Sequence, residues 1–226
     1  MATDPLIKAL RNTRFHPVMD MISGNARPHI LDLSSSNPNI ESVDLNDEFA
    51  FSNFITNSIK NAGCDYGIGG YGEDRIIYTR SDVFGTARSI HLGVDIWTEA
   101  GSPVYCPLEG TVHSFADNNN HGDYGPTIIL EHKVDQYTFY TLYGHLSRTS
   151  LSGLRKGLLI KTGVQFAALG AYDENVHWPP HLHFQLMRDL GDKTGDYPGV
   201  CARSEQDFYL QNCPDPNLIL QVSVLE

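Results

Sequence analysis

The 226-residue chain has no run near the roughly 20 apolar residues that a membrane-spanning helix needs, which excludes helical membrane insertion. It is short of positive charge. Sixteen Lys and Arg stand against 27 Asp and Glu, for a formal net charge of -11, and so acidic a surface repels phosphate backbones, which excludes nucleic acid as a partner. The N-terminus, MATDPLIKALRNTRFHP, lacks the apolar stretch and small-residue cleavage site of a secretory signal. The expected compartment is therefore the cytoplasm, with export by a route the N-terminus does not reveal left open. Cysteine is sparse: Cys64, Cys106, Cys201 and Cys213 form no CxxC pair, against a structural zinc knuckle. Free thiols are expected, with Cys201 and Cys213 the two that an oxidising compartment would join. No HExxH occurs, which removes the helix-borne zinc protease motif.

What is present favours strands and turns. Hydrophobic residues make up 41% and charged residues 19%, an ordinary globular balance, with 11 Tyr, 10 Phe, 20 Gly and 12 Pro. Three regions are expected. Residues 1–74 form an N-terminal elaboration with one good helix: in DLNDEFAFSNFITNSIKNA (44–62), Phe51, Ile55, Ile59 and Ala62 fall near helical spacing, Asn46 or Asp47 serves as N-cap, and Gly63 stops the helix. Residues 75–190 alternate short strands with Gly and Pro: RIIYTR (75–80), PVYCP (103–107), GTVHSFA (110–116), TIILEHK (127–133), QYTFYTLYGHL (136–146), then LLIKTG, VQFAALG and HLHFQLM. That spacing implies a mainly β protein, an antiparallel barrel-sandwich in which PLEGTV and TGVQFAAL hint at a duplicated motif. Residues 191–226 form a loop-rich extension whose last apolar run packs on the core as an edge strand or a short helix.

Three of the histidine-bearing segments are placed to carry chemistry. In RSIHLGVDIW, His91 and Asp95 supply imidazole and carboxylate, both suitable for zinc, across a spacer in which Gly93 lets the backbone bend. In PPHLHFQLM, His181 and His183 are two apart on a strand and point the same way; two imidazoles on an apolar strand need a polar recipient, and a metal or a reacting substrate is one. In TLYGHLS, His145 ends an aromatic strand beside Gly144, where it can face a cleft. Taken singly, each cluster has an ordinary structural explanation.

Together and in this order, HxxxD, Gly144-His145-Leu146-Ser147 and HxH resemble the zinc endopeptidases of the lysostaphin and LytM type, peptidase family M23. The linking stretch AGSPVYCPLEGTV is similar to that family's turn-and-strand segment, with Cys106 where alanine is usual. The resemblance covers about residues 75–190. It implies the LytM-like duplicated hybrid fold and a Zn2+ ion held by His91, Asp95 and His183. It also implies His145 and His181 as catalytic histidines of interchangeable role, and a peptide or peptidoglycan-like substrate. His177, Trp178 and Tyr143 are candidate substrate contacts. The approach AYDENVHWPP departs from the small polar run usual before HxH, so glycine-rich specificity is not carried over. GGYGEDRIIY and DYPGV further resemble a subgroup joined to aminotransferase-type enzymes.

Three rival functions share these residues: a non-catalytic LytM-like binding or regulatory module, a phosphohistidine-using sugar-phosphotransferase domain, and a non-haem iron site built on the same two His and one carboxylate. A further expectation is that residues 1–74 drape over the cleft and supply a fourth ligand from Asn37, Asn39 or Asp74. His113 and His132 are expected to be partly exposed, and His121 to lie in a turn.

Overall fold

The computed structural model describes residues 4–45, 47–75, 77–80, 88–120 and 122–225; Asn46 and His121 lie outside the described residues. Among the described residues, twelve strands follow in chain order: β1 (Pro28–Ile30), β2 (Tyr66–Gly69), β3 (Arg88–His91), β4 (Val94–Trp97), β5 (Pro103–Tyr105), β6 (Gly110–Asn118), β7 (Gly125–Val134), β8 (Tyr137–Gly144), β9 (Leu159–Ile160), β10 (Gln165–Ala168), β11 (His181–Met187) and β12 (Val200–Ala202). Eight of them form one sheet in the order β1-β2-β4-β11-β8-β7-β6-β9, and two separate pairs, β10-β5 and β12-β3, accompany it. The architecture is mainly β, as expected. The expected sandwich-like description is compatible with this arrangement, with two details added: β1 runs parallel to β2, so the large sheet is mixed, and among the described residues β1 and β9 remain at its edges, so no barrel closes.

Alternation along the central strands decides what faces the core. On β11, Leu182, Phe184 and Leu186 are fully buried in the main apolar cluster beside Val94 and Ile96 of β4 and Tyr143 of β8. The opposite face of the same strands carries Asp95, Trp97, His181, His183 and Gln185, because side chains two apart share a face. Register fixes their neighbours: Asp95 lies opposite His183, Trp97 opposite His181, and His183 opposite Gly144. Two central strands therefore bring a carboxylate from one segment against an imidazole 88 positions later.

The N-terminal portion adds β1 and β2 to the sheet edge and contributes α1 (Pro5–Arg11), α2 (Pro38–Glu41) and α3 (Glu48–Asn61). Asp47 caps α3, its carboxylate accepting from the Phe49 and Ala50 amides, and Gly63 in the left-handed region follows the last turn. From α3, Phe51 and Ile55 enter a second apolar cluster with Leu33, Tyr78, Trp97 and Trp178. Among the described residues, the strand expected over 75–80 is not formed. Residues 73–75 do pair with β3, through His91 N to Glu73 O at 2.9 Å and Arg75 N to Ser89 O at 2.8 Å. The chain then turns through a 3-10 segment, Ile77–Arg80, which drops Ile77 and Tyr78 into the second cluster instead of extending the pairing. The C-terminal apolar run is the short helix α5 (Asn217–Leu220), preceded by α4 (Gln206–Asn212). All four cysteines are free thiols. No described helix is long and apolar enough to cross a membrane.

Candidate metal centre

His91, Asp95 and His183 converge at the open face of the sheet. His91 Nε2 and His183 Nδ1 are 3.0 Å apart, His183 Nδ1 and Asp95 Oδ1 3.0 Å, and His91 Nε2 and Asp95 Oδ1 3.4 Å. A tetrahedral zinc with ligand distances near 2.0–2.1 Å separates its donors by about 3.3 Å, so these spacings match three corners of such a site. Among the described residues this is the one group of three or more His, Cys, Asp or Glu side chains with donor atoms that close together.

The partners of each imidazole set its tautomer. His91 Nδ1 donates to Gly70 O at 3.1 Å, leaving the Nε2 lone pair directed at the cluster. His183 Nε2 donates to Gln185 Oε1 at 2.9 Å, and the amide orientation is settled because Gln185 Nε2 must donate to Pro198 O at 3.1 Å. His183 therefore presents the Nδ1 lone pair. Two lone pairs and a carboxylate oxygen within 3.4 Å, all nearly inaccessible to solvent, repel one another unless a cation lies among them. The donor set fits zinc, and each ligand is held from behind as ligating histidines usually are. Burial, followed by the nearby Arg75 guanidinium, pushes the His91 pKa down to about 3, so that ring is neutral at ordinary pH. Burial tends to raise the Asp95 pKa, but His91 and Arg75 outweigh it and hold the carboxylate ionised, well below its usual range.

His145 and His181 stand beside this cluster with rings 4.0 Å apart. His181 shares the face of His183 by alternation, stacks on Trp97 at 5.5 Å, and donates from Nδ1 to Pro179 O at 2.7 Å, so its Nε2 is the acceptor. Pleating alone would send His145 to the core face, since Gly144 pairs with His183 and Tyr143 with Phe184. A left-handed backbone at His145, φ 60°, breaks the alternation and swings the ring back towards His181. Its Nδ1 is buried and makes no hydrogen bond among the described residues. Burial, with the neighbouring imidazoles adding to it for His145, lowers the pKa of both rings.

A cavity of about 200 Å³ covers the centre. Asp95, His145, His181 and His183 reach its wall, together with Arg75, Tyr78, Trp97, Tyr124, Trp178 and Phe51. Trp178, a candidate substrate contact, lines the cavity. Tyr143 does not: it is fully buried on the core face, its hydroxyl accepting from Thr141 Oγ1 at 3.0 Å. His177 is exposed, packs on Tyr172 and does not line the cavity. The fourth-ligand candidates are employed elsewhere. Asn37 caps α2, Asp74 pairs with Arg203, and neither they nor Asn39 line the cavity. His132, expected to be partly exposed, is buried between Glu109 O and Thr141 Oγ1, because the register of β6 and β7 places it inward at Gly110, where a Cβ would meet its ring.

Gly93 serves a different purpose from the one its spacing suggests. Its φ is not in the left-handed region; the requirement is space, since a Cβ there would lie 2.6 Å from His183 Cε1 and 2.7 Å from Nε2. Gly144 likewise leaves room for Tyr124, whose ring packs 5.0 Å from His183 and 5.9 Å from His145. Reasoning from sequence missed Tyr124, Arg75, Tyr78, Phe51 and Gln185. Of these only Gln185 carried a signal, being the next residue on the His181 and His183 face.

Two imidazoles and one carboxylate, with an adjoining histidine pair, thus lie together on the open face of a mixed β-sheet as a group that could hold one metal ion. Residues 89–195 match the model of peptidase family M23. The chain is similar to an uncharacterized metalloprotease of Haemophilus influenzae, 33% identical over 126 residues, which are 54% of this chain and 24% of the relative. It is also similar to a Pseudomonas aeruginosa lipoprotein NlpD/LppB homologue, 30% identical over 105 residues, 46% of this chain and 32% of the relative. The chain thus spans about a quarter to a third of the length of these curated relatives. Among solved structures, a zinc-containing peptidase from Vibrio cholerae matches with a TM-score of 0.39 at 26% identity, covering 52% of this chain and 31% of that one. The lysostaphin catalytic domain from Staphylococcus simulans matches with a TM-score of 0.41 at 22% identity, covering 64% and 92%.

Proposed function

We propose that the chain is a zinc-dependent peptidase that hydrolyses a peptide-like amide, with the peptide part of peptidoglycan as the substrate class that its family suggests. The observation that carries the proposal is the convergence of two tautomer-fixed imidazole lone pairs and one carboxylate oxygen on a single point at the wall of a cavity. His91 Nε2, Asp95 Oδ1 and His183 Nδ1 would hold the ion. Three protein donors leave a position for water or substrate, as catalytic zinc sites do. The ion, when bound, supplies Lewis acidity, polarising the scissile carbonyl and acidifying water.

The chain's own residues account for the proton movements. His181, with Nδ1 committed to Pro179 O and Nε2 free, is arranged to take a proton from the attacking water. His145, facing it at 4.0 Å, is arranged to stabilise the developing oxyanion or to return a proton to the leaving amine. Depressed pKa values keep both rings neutral near pH 7, the state in which one accepts while the other donates. Trp97, Trp178, Tyr124 and Phe51 wall the cavity and exclude water from the reacting groups.

The test is metal analysis of the purified chain, followed by mass spectrometry of peptidoglycan digests. One equivalent of zinc and released peptides are expected from the wild type, with zinc but no release from His145→Ala and His181→Ala. A zinc-loaded chain that binds peptidoglycan but cuts nothing would instead make this a binding module, and a chain that takes no zinc would refute the metal reading.

A further inference from the structure

The matched family segment begins at residue 89, yet two of the three candidate ligands are held by groups that precede it. Gly70 O fixes the His91 tautomer. Asp95 is held by Arg75, whose side chain is completely shielded from solvent and whose Nη1 donates to Asp95 Oδ2 at 2.5 Å. The same guanidinium donates from Nε to Glu73 Oε2 at 2.6 Å and from Nη1 to the Tyr78 hydroxyl at 3.1 Å, and its Nη2 is 3.4 Å from Gly69 O. It lies over the Trp97 ring at 5.7 Å. Glu73 is itself anchored, its Oε1 accepting from Leu33 N at 3.0 Å.

We propose that Arg75 is a positioning residue of the metal centre: it occupies one oxygen of Asp95 so that the carboxylate can offer only the other to the ion. The proposal rests on the zinc reading above. Its physical basis is a division of labour within one carboxylate. Oδ1 is the atom 3.0 Å from His183 Nδ1 and 3.4 Å from His91 Nε2, and Oδ2 is the atom on Arg75. Without the guanidinium, a buried Oδ2 would have to find another partner, and turning about the Cβ–Cγ bond or chelating through both oxygens are the two ways available. A cation so close to a metal site would ordinarily weaken metal binding. Here Glu73 balances it: two carboxylates flank one guanidinium, so the group keeps a net negative charge for the ion. The rigid fork matters as much as the charge, since a lysine ammonium cannot span Glu73, Asp95 and Tyr78 in one plane. The chain of contacts Leu33–Glu73–Arg75–Asp95 makes the segment ahead of the family domain a working part of the centre, where a fourth ligand or a plug had been expected.

Two variants test this: Arg75→Lys, which keeps the charge and loses the fork, and Glu73→Gln/Arg75→Met, which keeps the net charge and loses the ion pair. Zinc affinity is measured by chelator competition and ligand geometry by the visible spectrum of the cobalt(II)-loaded chain, with circular dichroism reporting the fold. Zinc binding is expected to weaken by about 10–100-fold in both variants, the usual effect of losing a ligand's outer partner, with a changed cobalt spectrum. A folded variant that binds zinc within twofold of wild type with an unchanged spectrum overturns the proposal alone. A wild type that takes no zinc overturns the metal reading and this proposal with it. A zinc-loaded crystal structure of the wild type needs no variant: Asp95 bound through both oxygens, or Arg75 displaced from Oδ2, would also overturn the proposal.

Discussion

Replacing Gly93 by alanine adds one methyl group and tests whether the candidate metal centre is as closely built as its distances imply. The new Cβ would stand 2.6 Å from His183 Cε1, 2.7 Å from His183 Nε2 and 2.9 Å from Phe184 O. Ordinary contact begins at 3.4 Å, so the ring must withdraw by about 0.8 Å. It cannot do so by moving its backbone, because β11 is bonded on one side to β4 and on the other to β8. The ring must therefore rotate, which breaks the 2.9 Å hydrogen bond to Gln185 and carries Nδ1 away from Asp95 Oδ1. Overpacking of this kind costs about 1–3 kcal/mol of stability. A displacement approaching half of a metal–nitrogen bond should cost more in zinc binding, at least the roughly 10–100-fold seen when outer support is lost. The assay is a zinc competition titration beside urea unfolding of the metal-free chain. Zinc affinity in Gly93→Ala within threefold of wild type would refute the inference that His183 is pinned, whatever happens to stability.

Gln185→Leu removes the acceptor that holds the His183 tautomer, and zinc affinity should fall by about 10-fold or more; an unchanged competition titration would count against the tautomer argument. His132, outside the metal centre, has its pKa lowered to about 4 by burial. The unfolded chain therefore takes up that proton first, and the associated stability, complete above pH 6.5, is lost as pH falls towards 4. About 3 kcal/mol is at stake, so urea unfolding at pH 7 and pH 4 should show a much smaller acid loss in His132→Gln, and equal losses would refute it. His145 holds a left-handed backbone, so His145→Gly should be more stable than His145→Ala by about 1 kcal/mol in thermal unfolding, and the reverse order would show that the turn carries no strain.

The convergence of His91, Asp95 and His183 was legible because alternation is a strong local rule. HLHFQLM predicts a strand with both histidines on one face, and β11 spans those seven residues. The helix over Glu48–Asn61 was legible for the same kind of reason, with a capping aspartate ahead of it and a glycine behind. Tyr143 shows the limit of reading such a stretch by its neighbourhood. It adjoins the Gly-His pair, yet parity puts it on the Phe184 face, and the same parity would have excluded His145 as well. What rescues His145 is one left-handed residue, and no pattern in TLYGHLS distinguishes a histidine that continues the pleat from one that breaks it.

The supporting groups were illegible for a different reason. Gly70 O and Pro198 O act through backbone carbonyls, which every residue has, so no side-chain pattern marks them. Arg75 was visible only as the first residue of RIIYTR, where strand propensity predicts an extended segment and says nothing of a buried cation. Its burial follows from partners at positions 73, 78 and 95, assembled by the pairing of residues 73–75 with β3 and by the turn that brings Tyr78 inward. A buried guanidinium is tolerated only where carboxylates meet it, so its presence is a consequence of Asp95 being there to receive it. The same dependence runs in reverse. An Asp95 whose second oxygen is already occupied can turn only the first towards His91 and His183, and the segment before residue 89 thereby shares in fixing the geometry of the centre.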